Sequence, residues 1–214
     1  MRKIIAAIAF LALSAQVAEA QNTIESIREA YAGVKEYISM MNDNFPAEGI
    51  PPEYYHLHVA QNLPGTGGHR EDIRMYYNEV EQEEDENWTP YPDHWLRLVT
   101  AKYNFAAREF YEEYLYDEKG QVMFIYAITP DVSDYVVPYE LRMWFDGKRL
   151  LRFTAKKAEV TEPFDYENLN SFKYKEEYSG TTIPELYLRE TDRCKERAQH
   201  LLKMFKGIDN NKYI

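Results

Sequence analysis

Cysteine is almost missing from this chain: Cys194 is the single thiol among 214 residues. No intramolecular disulfide can form, so the fold must stand on core burial alone. Basic residues are also in short supply, with 25 Lys and Arg against 36 Asp and Glu and a formal net charge of −11. That balance argues against non-specific binding to nucleic acid or to an anionic membrane, both of which reward positive charge. Long apolar runs are absent. The longest, Ile4 to Leu13, falls short of the roughly 20 residues that span a bilayer. Catalytic signatures are lacking too: the chain has no Gly-x-Ser-x-Gly elbow, no His-Glu-x-x-His pair and no dinucleotide fingerprint. Gly65 to Gly68 lacks the lysine and hydroxyl residue of a phosphate loop. Leu63-Pro64-Gly65-Thr66-Gly67 matches a cell-wall sorting pattern, but it is internal and has no apolar segment behind it, so a flexible loop over Asn62–Arg70 is the expectation.

What the chain does contain begins with a leader. Arg2 and Lys3 precede the apolar run, and Ala18-Glu19-Ala20 offers a small-x-small cleavage site. We read residues 1–20 as a signal peptide and 21–214 as one domain, exported to the periplasm or beyond, with no integral membrane segment after cleavage. Tyrosine is abundant at 19 residues, as expected for a β-rich core and its margins.

Two hairpins organise the middle of the chain. Phe110–Ile128 turns at Asp117-Glu118-Lys119-Gly120, where Gly120 supplies a positive φ. The apolar pattern predicts Tyr116 opposite Val122, Tyr114 opposite Phe124 and Leu115 opposite Met123. The next hairpin turns at Asp146-Gly147-Lys148. Its first strand alternates, with Tyr139, Leu141, Met143 and Phe145 on one face and Glu140, Arg142, Trp144 and Asp146 on the other. A three-residue turn would set Met143 against Leu151.

Upstream, Tyr54–Ala60, Asp72–Val80 and Trp95–Phe105 read as strands; Ala106-Ala107 offers little to define a turn, which predicts a bend. Asn22 to Asp43 has helical periodicity with Asn22 and Glu25 as a capping box, and Ile183–Lys206 is a second helix with Thr182 and Glu185 as its box and Gly207 at its end. Residues 159–180 carry no clear pattern. The resulting fold is α+β: an antiparallel sheet of about six strands from consecutive hairpins, flanked by an N-terminal and a C-terminal helix.

Candidate sites are few. His56 and His58 share a strand face, as two metal ligands should, and His69 or His94 could join them; no compact four-ligand spacing is written. The plainer alternative is a pair of surface histidines, and no cofactor is expected. The acidic run 81–86 lacks the central glycine of a calcium loop. Cys194 and His200 diverge by about 240° around a helix, so they form no dyad. Glu112 and Glu113 face opposite sides of a strand and cannot form a carboxylate pair with each other; Glu112, placed opposite Tyr126, is expected at the sheet surface. Trp144 beside Arg142, with Tyr111 and Tyr126, is the best candidate for an exposed aromatic contact patch. The alternative is that a helix covers that face and Trp144 is core.

The leader, the Tyr-Asp-Glu-Lys-Gly turn at 116–120 and the Phe-Asp-Gly-Lys turn at 145–148 resemble uncharacterised exported proteins of host-associated Gram-negative bacteria, a resemblance that transfers no functional residue. The expected function is a non-enzymatic binding module for a protein, peptide or glycan. A hydrolase of cell-wall or host polymers and a structural homodimer subunit are the alternatives.

Overall fold

The computed structural model describes residues 22–48, 53–80, 92–130, 132, 137–159 and 172–210, with side chains described through Met40 in the first helix. The leader, the run 81–86 and residues 160–171 lie outside them. The order is α1 (Ile24–Glu48), β1 (Tyr54–Leu63), β2 (Gly67–Glu79), β3 (His94–Phe105), β4 (Arg108–Tyr116), β5 (Val122–Thr129), β6 (Tyr139–Asp146), β7 (Arg149–Glu159), β8 (Lys173–Gly180) and α2 (Glu185–Asp209). The fold is α+β, and the sheet has eight strands rather than about six. Each strand pairs antiparallel with its sequence neighbour, so the sheet is one unbroken meander. The added strand, β8, falls in the stretch without a pattern, where exposed lysines and glutamates outnumber the half-buried Tyr174 and Tyr178.

The two helices cover opposite faces. Ile73, Met75, Val99, Tyr114, Leu141 and Phe153 pack under Tyr187, Cys194, Ala198, Leu201 and Phe205 of α2. On the other face Tyr76, Leu98, Leu115, Phe124 and Trp144 meet Ile27 and Val34 of α1. The alternation in β6 is therefore that of a strand covered on both sides. Tyr139, Leu141, Met143 and Phe145 share one face, as predicted; it is the face that α2 covers, and Trp144 belongs to the α1 face.

α2 lies across the strands. Tyr187 packs on Phe153 of β7 with ring centroids 5.4 Å apart, and Phe205 reaches Tyr55 of β1 at 5.7 Å. Eighteen residues of helix advance about 27 Å. The six steps from β7 to β1 cover about 29 Å at the usual strand spacing. A single helix thus touches both margins of the core sheet.

Turns and caps depart from expectation in specific ways. Gly120 has φ +78° and its N–H bonds to the Asp117 carbonyl at 2.9 Å, as the turn required. A bulge between Leu115 and Tyr116 then shifts the ladder, so that Leu115 faces Phe124 and Tyr114 faces Ile125. The β6–β7 turn is shorter than expected, with Asp146 opposite Arg149 and Gly147 at φ +57°; a bulge at Trp144/Phe145 sets Met143 against Phe153. A bulge at Tyr76/Tyr77 changes the pairing before β3 reaches Trp95, and Trp95 lines a recess with Ala30 and Leu115 on the α1 side, opposite to Val99 and Ala101. Ala106-Ala107 closes a two-residue hairpin, Phe105 opposite Arg108, with Ala106 held at φ +55°. Asn62–Arg70 is no loose loop: β1 and β2 pair up to Leu63 and Gly67 around a three-residue turn.

At α1 the reciprocal cap is Thr23 with Ser26, each backbone N–H bonding to the other's hydroxyl at 3.0 and 3.1 Å. The Asn22 N–H goes instead to Asp146 Oδ1 at 3.1 Å. α2 starts at the N-cap Pro184 with no side-chain cap, because Thr182 Oγ1 is 2.9 Å from the Tyr178 hydroxyl. It continues through Gly207 to an Asn210 cap in right-handed conformation.

Candidate functional site

β4 puts two consecutive carboxylates into the two cores. Alternation sends Glu112 towards α2 and Glu113 towards α1, so they are separated by the sheet as predicted. Both are buried, at 0% and 3% exposure. The surface position expected for Glu112 is incorrect: Arg193 and Arg197 of α2 cover it, and the bulge places Ala127 opposite it and Tyr126 opposite Glu113.

Beneath α2, Glu112 accepts hydrogen bonds from Tyr103 at 2.7 Å and Tyr114 at 2.6 Å. Arg193 Nη1 donates to it at 2.7 Å, and Arg197 Nε lies 2.8 Å from its second oxygen. Arg193 also meets Glu190 at 2.9 Å, and Arg197 meets Glu71. This network ties α2 to β2, β3 and β4 and encloses Cys194. Burial and the Glu112 charge raise the Cys194 thiol well above its ordinary range, so it stays protonated and inert.

Beneath α1 the arrangement is different, because space remains. A cavity of about 400 Å³ opens between α1 and β4, β5 and β6. Glu113 accepts hydrogen bonds from the hydroxyls of Tyr31 and Tyr111 and from Lys35 Nζ at 2.9 Å. Burial first, and the Glu113 charge second, raise both phenols above their ordinary range, which keeps them as donors. Tyr126 rises through burial and then through Glu140; its ring is 6.2 Å from Tyr111. Arg142 stacks over the Tyr126 ring at 5.3 Å, and Arg28 of α1 sits 5.7 Å from the Trp144 ring centroid. Phe124 closes the wall, 5.2 Å from Trp144 and 5.1 Å from Tyr31.

No protein-family model, curated protein or solved structure matches the chain.

The four residues singled out in the sequence, Trp144, Arg142, Tyr111 and Tyr126, all line this one cavity. The open-patch setting is corrected in favour of its alternative, a face covered by a helix: Trp144 is only 4% exposed because α1 and Phe124 cover it. Tyr31, Lys35, Arg28 and Glu113 are the other polar members of the lining; none was placed in this patch from the sequence, where Glu113 was weighed only as a carboxylate. Three of them come from a helix whose approach to the sheet is a long-range event. Glu113 carried one readable signal, a carboxylate within a strand otherwise rich in aromatics.

The histidines do not assemble. His56 and His58 share a face as predicted, but both turn to Asp72, at 2.7 and 3.9 Å. His69 bonds to the Asn104 carbonyl at 2.6 Å, and His94 pairs with Asp209 at 2.7 Å. Among the described residues no group of three or more His, Cys, Asp or Glu could hold a metal ion. No described helix is long and apolar enough to cross a membrane.

Proposed function

We propose that the chain is an exported, non-enzymatic binding module whose ligand, a glycan or a peptide side chain, enters the cavity beside α1. The observation that carries this reading is the convergence of Tyr111, Tyr126, Arg142 and Trp144 on one recess with the buried Glu113. Its volume falls within the usual range for small-ligand sites, about 300–1,000 Å³. Aromatic walls with a few fixed polar groups are what selective binding of a ring or a planar group requires.

Hydrolysis is the less favoured reading. Glu113 is held by three donors, and Glu140 lies between Arg142 at 3.0 Å and Lys156 at 3.3 Å. Neither carboxylate is placed to trade a proton with a substrate while those partners remain.

A glycan and peptide array tests the proposal. The protein is expected to retain ligands whose binding falls at least about tenfold in Tyr126→Ala, a loss of the size expected for an aromatic anchor. Lys203→Ala, exposed on α2, should change nothing. Retention that Tyr126→Ala leaves intact places binding elsewhere, and an empty array overturns the reading.

A further inference from the structure

The proposed site carries a charge pattern that narrows its ligand, an inference that rests on the binding reading above. The protein is strongly acidic, at −11. Yet the cavity is lined by three cations, Arg28, Lys35 and Arg142, and one carboxylate, Glu113. Lys35 is committed to Glu113 at 2.9 Å. With two phenols also bound there, that carboxylate is locally satisfied.

The two guanidinium groups keep N–H donors to spare. Among the described residues Arg28 makes no ion pair, and its recorded contact is the face of Trp144 at 5.7 Å. Arg142 comes within 3.0 Å of Glu140 through Nε, but both Arg142 Nε and Glu140 Oε1 are buried without a hydrogen bond. No hydrogen bond or ion pair from either terminal nitrogen of Arg142 is recorded among the described residues. A guanidinium presents parallel N–H donors matched to a carboxylate, and it binds such groups in paired fashion. Arg28 is exposed and the Arg142 side chain keeps 39% of its exposure, so both can reach a ligand that enters this recess between its aromatic walls.

We infer that the cavity beside α1 takes a ring-bodied monocarboxylate, with its carboxylate between Arg28 and Arg142 and its ring against Tyr126 and Phe124. Such a carboxylate occurs on acidic sugars and on aromatic acids, which share the recognition chemistry described here.

Calorimetric titration of the full folded domain would use four probes: glucuronate against its neutral counterpart glucose, and benzoate against benzyl alcohol. At least one acid is expected to bind about tenfold or more tightly than its neutral partner, as loss of a charge-assisted contact implies. Arg142→Ala and Arg28→Ala should each erase that preference, with folding checked by circular dichroism, and Arg142→Lys should restore only part of it. Which acid binds tells the sugar source from the aromatic one. Neutral probes binding as well as their acids would overturn this inference and leave the binding module standing. Acids that fail while the array yields a neutral ligand lost in Tyr126→Ala would do the same. Failure of all four probes together with an empty array would overturn both.

Discussion

Ala106 shows how a single residue can hide a turn. The β3–β4 hairpin needs a positive φ at its first loop position, and Ala106 adopts +55° there. A Cβ in that region meets the neighbouring carbonyl at a cost of about 1 kcal/mol. Ala106→Gly should relieve the strain and stabilise the domain by about 0.5–1 kcal/mol, less the extra entropy glycine gains when unfolded. A urea unfolding series would show the midpoint rising; a falling midpoint would mean that the turn is not strained. The same residue explains why the hairpin was unreadable. Turn prediction relies on Gly, Asn, Asp and Pro, and Ala-Ala carries none of their signals. Gly120 and Gly147, which do, were located correctly. Trp144 had two readings, and the covered one holds: Ile27 and Val34 of α1 pack on its face, while Arg142 beside it keeps 39% of its side-chain exposure and reaches Glu140 at 3.0 Å.

At the scale of elements, the strands were legible because their apolar positions recur every second residue. Register was not. Each bulge, at Tyr76/Tyr77, Leu115/Tyr116, Trp144/Phe145 and Ala155/Lys156, adds a residue that no composition marks. The helix stripes were legible too, whereas their caps moved by a residue or two, as the Asn22 N–H and the Thr182 hydroxyl found other partners. The energetic tie of α2 to the sheet is the Glu112 network. Glu112 is wholly buried, while the Arg193 side chain keeps 32% of its exposure. Removing the carboxylate leaves two guanidiniums facing a dry site, so Glu112→Ala should cost on the order of 3 kcal/mol. Arg193→Ala in the same background should cost much less than it does alone, because the partners are coupled. A double-mutant cycle by chemical denaturation reads this directly; simple additivity would show that the contacts do not act as a unit.

For the whole molecule, the abundance of buried phenols sets an alkaline limit. Burial raises Tyr31, Tyr103, Tyr111, Tyr114, Tyr116, Tyr126 and Tyr174 above their ordinary value of 10.0. An acid whose folded pKa is raised binds its proton more tightly in the native state. Its stabilising contribution is complete below the unfolded value and is lost as pH rises through the folded one. Stability should therefore fall steeply above about pH 10, with the phenolate absorbance of these seven buried tyrosines at 295 nm appearing together with unfolding. Ionisation of all 19 tyrosines before any loss of secondary structure would contradict this. The cavity under α1 belongs to this scale as well. It joins residues from the first helix and three central strands, so its members could be nominated from the sequence but not its enclosure.

The transverse path of α2 has a consequence for how the chain comes to be folded. Each hairpin of the meander can pair as soon as its own two strands exist, since every partner is the next segment along. The helix that spans β7 to β1 is the last element in the order. During synthesis the sheet can therefore grow progressively while its α2 face remains uncovered, and the final helix closes that face in one step. Loss of the last few turns would leave a nearly complete sheet with a sticky side, a species prone to aggregate instead of one that is merely less stable.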